Sequence, residues 1–108
     1  MAFSTGPDML DSLVLSTVAK EPTYGYRITQ EARQIVQVSE SSLYPVLRRL
    51  QHEGYLETYD QAYAGRNRRY YRITVTGQEA LENYKNQWIE YREKIDRVLL
   101  GEGEKDEQ

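Results

Sequence analysis

Two groups of side chains in this sequence have the types and spacing needed to grip a polyanion. The first is Ser41, Ser42, Tyr44, Pro45, Arg48 and Arg49, and the second is Gly65, Arg66, Asn67, Arg68 and Arg69. Short hydroxyls near a helix start can meet phosphates or base edges, and an arginine one turn later reaches a guanine or a phosphate. Arginines at a hairpin tip hold charge against the DNA backbone or in the minor groove. A helix followed directly by an arginine-tipped hairpin is the layout of a winged helix-turn-helix, a DNA-reading module.

The elements that must position these groups are legible in the apolar pattern. Asp8 can cap a first helix, in which Leu10, Leu13, Val14, Thr17 and Val18 recur at helical spacing before Pro22. After the Pro22-Thr23-Tyr24-Gly25 break, Ile28, Ala32 and Ile35 mark a second short helix over about Tyr26 to Gln34. In a third helix Leu43, Val46, Leu47 and Leu50 share the core side and Gly54 supplies the stop. The opposite side carries Ser41, Pro45, Arg48 and His52, flanked by Ser42, Tyr44 and Arg49. Its cap is Ser39, which puts Pro45 inside the helix, or Ser42, which puts Pro45 in the first turn. Tyr55 to Gln61 and Tyr70 to Thr74 read as strands, with residues 62–69 as the wing tip.

Thr76 with Glu79 three residues on is a capping box that opens a long helix to about Leu100. Leu81, Tyr84, Trp88, Tyr91, Ile95 and Val98 repeat every three or four residues, the seam of a coiled coil. About 24 residues span roughly 36 Å, too long for so small a domain to cover. The stripe therefore calls for a second copy, with Leu10 and Leu13 of the first helix joining the same interface. The expected architecture is α+β and mostly helical: a winged helix-turn-helix domain over 1–75, one dimerisation helix over 76–100 and an acidic disordered tail over 101–108.

Composition agrees with one small soluble domain: 108 residues, 39% hydrophobic and 29% charged. No apolar run approaches the length needed to cross a bilayer and no secretory leader is evident, so the expectation is a cytoplasmic protein without membrane contact. With no cysteine and one histidine, disulfides, thiolate chemistry and metal sites are not expected, and no cofactor is implied. The net charge of −3 argues against nucleic acid until its distribution is considered. Between Val38 and Arg72, Arg48, Arg49, Arg66, Arg68, Arg69 and Arg72 outnumber Glu40, Glu53, Glu57 and Asp60. Much of the acid lies at the C-terminus.

At Tyr24-Gly25-Tyr26, Leu43-Tyr44-Pro45, Arg48-Arg49-Leu50, Glu53-Gly54 and Arg68-Arg69-Tyr70-Tyr71-Arg72-Ile73-Thr74 the chain resembles the PadR family of bacterial transcriptional regulators. The likeness covers about Leu10 to Gly77, and the single long C-terminal helix is similar to the short subfamily, which dimerises through it. The resemblance favours Ser39 as the cap of the third helix. It implies a homodimeric repressor on a palindromic DNA operator, released by a phenolic or multidrug effector. Two positions depart from the family pattern: Asn67 interrupts the arginine run, and Glu40 stands where a proline is common, placing a negative charge near the DNA. A small planar aromatic effector would stack on Trp88 with Tyr84 and Tyr91, in a space lined by Leu15 and Ser16 of the first helix.

Two rival functions follow from the same residues. A winged domain can bind another protein in place of DNA. A small enzyme is the weaker rival, because no phosphate loop, activated nucleophile or paired inward carboxylates are present.

Overall fold

The computed structural model describes Phe3 and residues 5–101. Its elements are α1 (Pro7–Lys20), β1 (Thr23–Tyr24), α2 (Gly25–Arg33), α3 (Glu40–His52), β2 (Leu56–Tyr63), β3 (Arg66–Ile73) and α4 (Val75–Leu100). One antiparallel sheet runs in the order β1-β3-β2. The expected tail lies outside the described residues, apart from Gly101, which ends α4 in a left-handed conformation.

A single core joins every element except the two-residue β1. Val14, Leu15 and Val18 of α1 meet Ile28 of α2, Leu43, Leu47 and Leu50 of α3, Leu56 of β2, Tyr71 of β3 and Leu81 of α4. The three leucines of α3 are spaced four and three apart, so one stripe faces inward and the opposite side is left to solvent. Each fully buried leucine contributes about 1.5–3 kcal/mol by leaving water. Ile35 departs from its expected place: α2 ends at Arg33, and Ile35 lies beyond it, 65% exposed.

The helix starts differ in instructive ways. Pro7, not Asp8, sets the start of α1: its fixed φ and missing N–H suit the first helical position, and Gly6 caps without a side-chain bond. Asp8 lies in the first turn, where the helix dipole favours its charge. Ser39 is the cap of α3, its Oγ accepting the Ser42 N–H at 3.2 Å. Pro45 therefore sits inside the helix, and the Ser41 carbonyl lacks its i+4 donor. For α4 the cap is Thr74 and not Thr76: Thr74 Oγ1 accepts the Gly77 N–H at 2.9 Å and donates to the Gly54 carbonyl at 2.6 Å. A hydroxyl that ties α4 to the turn after α3 outcompetes the capping box two residues later. Gly77 permits this approach, because a Cβ there would overlap the Tyr55 carbonyl oxygen.

The wing is longer than its sequence suggests. Ala64 and Gly65 have φ of 51° and 80°, the positive pair of a two-residue type I′ turn whose twist matches that of the strands. Pairing therefore runs to the tip, through Gln61↔Arg68, Ala62↔Asn67 and Tyr63↔Arg66. Arg66, Asn67, Arg68 and Arg69, expected in a loop, are strand residues with alternating faces. β1, which the sequence pattern did not reveal, extends the sheet through Thr23↔Tyr71 and Tyr24↔Tyr70.

Candidate nucleic-acid interface

The outward side of α3 presents Ser41, Ser42, Tyr44, Pro45 and Arg48 to solvent. With the N-terminal end of α2 and with β3 it bounds an open cleft of about 760 Å³. Tyr44 and Arg48 form one wall, Asn67, Arg68 and Arg69 another, and Tyr24 closes the end. α2 starts close against α3: a Cβ added at Gly25 would stand in ordinary van der Waals contact, 3.4 Å from the Tyr44 ring. The Tyr44 hydroxyl donates to Glu40 Oε2 at 3.3 Å across one helical turn. Partial burial, and then the Glu40 carboxylate, push the Tyr44 phenol up from its ordinary value.

The wing arginines have separate surroundings. Arg66 is exposed beside the turn, opposite Tyr63, and Gly65 is exposed in the turn itself. Arg68 lies on the outer sheet face, its guanidinium between two rings, 4.1 Å from the centroid of Tyr24 and 4.3 Å from that of Tyr63. Tyr24 packs edge-on against Tyr70, Tyr70 stacks on Tyr59, and Arg72 lies over Tyr59 while pairing with Glu57 at 2.9 Å. This ladder of tyrosines and arginines stiffens the wing, each cation–π contact adding about 0.5–1 kcal/mol where exposed. Arg69 faces Asp60 across the strands at 3.9 Å, an exposed pair of little strength.

Arg49 is turned away from its neighbour Arg48 and into the protein. Its Nη2 meets Asp11 Oδ1 at 2.5 Å, and its Nη1 lies 3.5 Å from Glu53. The other Asp11 oxygen accepts the Tyr84 hydroxyl at 3.0 Å. One carboxylate with a 4% exposed side chain thus ties α1, α3 and α4 together. The Asp11 hydrogen bond holds Arg49 firmly protonated. Burial, reinforced by Asp11, raises the Tyr84 phenol well above its usual range. Sequence reasoning missed Asp11, although its signal was present: it lies three and four residues before Val14 and Leu15, on the core side of α1.

The seam and effector residues have different surroundings. Leu15 is fully enclosed by the domain core and leaves no surface for a ligand, while Ser16 is half-buried. Leu81 is also core, and Tyr84 spends its hydroxyl on Asp11. Leu10 and Leu13 are half-buried on α1. Trp88 and Tyr91, 6.0 Å apart, are met by Phe3 at 5.4 and 5.9 Å. Phe3, which the sequence reading did not single out, is 6% exposed in this cluster. Beyond it Ile95, Val98, Leu99 and Leu100 stand exposed along the end of α4. No helix among the described residues is long and apolar enough to cross a membrane.

Residues 14–83 match the family described as Transcriptional regulator PadR-like family. The fold is similar to that of a protein from Streptococcus mutans UA159, with a TM-score of 0.86 and 37% identity over 94% of this chain and 95% of that one. It is also similar to a PadR-like transcriptional regulator from Bacillus cereus, with a TM-score of 0.80 and 34% identity over 87% and 94% of the two chains. Transcriptional regulator Rv3488 of Mycobacterium tuberculosis is 39% identical over 69 residues, 63% of this chain and 64% of that protein.

Proposed function

The chain belongs to the PadR-like family of transcriptional regulators, and on that premise we propose that it acts in the cytoplasm as a homodimeric repressor on a palindromic operator. The observation that carries this reading is the cleft in which the polar side of α3 and the basic strand β3 face the same open space. α3 enters the major groove, Ser41, Ser42, Tyr44 and Arg48 meeting base edges and phosphates, and the wing follows the backbone with Gly65, Arg66, Asn67 and Arg69. Arg49 and Arg68 act through the geometry they hold, Arg49 by fixing α3 on Asp11 and Arg68 by bracing the wing between Tyr24 and Tyr63.

The exposed apolar end of α4 supports dimerisation through that helix, with Ile95 and Val98 of the expected seam joined by Leu99 and Leu100. A two-fold axis there sets two copies of α3 on half-sites about 34 Å apart, one DNA turn. A small planar aromatic effector stacking on Trp88 and Tyr91 would displace Phe3 from those rings and shift the two halves of the dimer.

Fluorescence anisotropy on the DNA upstream of the protein's own gene, at fixed salt and with unrelated competitor DNA, tests the reading. Selective binding is expected. Binding no tighter than to unrelated DNA, or unaltered by Arg48→Ala and Arg66→Ala, would favour a wing that contacts protein.

A further inference from the structure

We propose that Glu40 is a specificity-determining residue whose carboxylate selects a cytosine at one base pair of each half-site. The inference rests on the reading of α3 as the recognition helix. Glu40 is the first residue of that helix, behind the Ser39 cap, and the N-terminal residues of a recognition helix are those that meet base edges. Its carboxylate is oriented, since Oε2 accepts the Tyr44 hydroxyl at 3.3 Å and both residues line the cleft between α3 and the wing. The helix dipole favours a negative charge at this end.

An anion on a surface that faces DNA weakens binding through every nearby phosphate, whatever the sequence. The groups in the major groove that offset this are amino protons. Guanine offers only the acceptors O6 and N7, and thymine offers the acceptor O4 beside a methyl group, so both repel a carboxylate or leave it unpaired. Adenine sets its N6 donor beside the N7 acceptor, so part of the gain is cancelled. Cytosine presents its N4 amino group alone and is the partner a carboxylate fits best. Glu40 accordingly lowers affinity for most sequences and restores it for one, which is discrimination by selective repulsion as much as by attraction.

The test is selection from a DNA pool with the operator half-site randomised, using the purified full chain as wild type, Glu40→Gln and Glu40→Ala. Thermal melts of the three proteins check that α3 is intact. The wild type is expected to enrich cytosine at one position roughly tenfold over the other bases. Glu40→Gln is expected to move that position toward adenine, whose N6 and N7 suit a carboxamide, and Glu40→Ala to leave it without preference, with all other positions unchanged. If all three proteins select the same sequence and the variants bind every DNA more tightly by one factor, Glu40 only repels and the proposal is wrong. A wild type that enriches no sequence would overturn the DNA reading of α3, and this inference with it, an outcome distinct from the loss of one base preference.

Discussion

The Asp11–Arg49 pair predicts an asymmetry between its two partners. The Asp11 side chain is 4% exposed and that of Arg49 is 43% exposed. Replacing Arg49 with Met keeps much of the stem but strands a buried carboxylate with Tyr84 as its remaining hydrogen-bond donor. Breaking a fully buried pair in this way costs about 3–5 kcal/mol, and the half-exposed arginine brings water near enough to reduce that to about 2–3 kcal/mol. Asp11→Asn leaves no buried charge. Arg49 then turns to Glu53 and solvent, and the amide oxygen still accepts one of the two former donors, so the loss is about 1 kcal/mol. The double variant should cost less than the sum of the singles by about 1 kcal/mol or more, because the second change removes the charge stranded by the first. Urea denaturation at one fixed protein concentration measures all three, which matters if dimerisation contributes to stability. Equal losses for the two singles, or strict additivity, would refute the reasoning. A loss of a few kcal/mol is a large share of the 5–15 kcal/mol that stabilises a domain.

The raised Tyr84 phenol adds a pH dependence of stability that acts in alkali. The folded state holds a proton that the unfolded chain releases above about pH 10, so the contribution of Tyr84 to stability is flat below that point and falls as pH rises toward the higher folded value. Tyr84→Phe should lessen that decline in urea titrations without abolishing it, because Tyr44 and Tyr71 are also raised. Ala64→Asn, which suits a positive φ, should stabilise by about 0.5–1 kcal/mol, and an unchanged denaturation midpoint would show that the turn stores no strain. Gly77→Ala should cost about 3 kcal/mol or more in the same assay, since the new methyl overlaps the Tyr55 carbonyl and crowds Ile73; a loss below 1 kcal/mol would mean that α4 shifts freely.

What was legible in the sequence was periodic or local. The core stripe of α3, the long helix α4 and the hairpin between them follow from spacing, whereas the residues left Ser39 and Ser42 open as the cap of α3 and only the family resemblance favoured Ser39. What escaped depends on partners distant in the chain. Asp11 reads as a polar residue on a short helix until Arg49, 38 positions on, and Tyr84, 73 positions on, close around it. β1 is two residues long and forms because β3 offers an edge. The wing tip was read as a loop because Ala64 precedes Gly65, where an Asn or Asp would have announced the turn. Thr74 became the cap of α4 through its bond to the Gly54 carbonyl, a contact that no spacing rule contains.

Counting arginines in the sequence overstates the charge available to a polyanion. Asp11 and Glu53 hold Arg49, Glu57 holds Arg72, Asp60 faces Arg69, and the rings of Tyr24 and Tyr63 enclose Arg68. Among the described residues of α3 and the wing, Arg48 and Arg66 are exposed arginines with no carboxylate in ion-pair range. Freeing a surface pair such as Arg69–Asp60 costs little, so Arg69 can join them on contact with DNA, whereas Arg49 cannot leave Asp11 without stranding a buried charge. Under the proposed reading, about two or three phosphate contacts per subunit would give a shallow salt dependence and modest non-specific affinity from the counterion term alone. On that reading discrimination would come from the outward side of α3, where Glu40, Ser41, Ser42 and Tyr44 bring hydrogen-bonding groups and a single charge of the opposite sign. An acidic protein can thus read DNA by spending few cations on the backbone and placing the rest of its polar contacts in the groove.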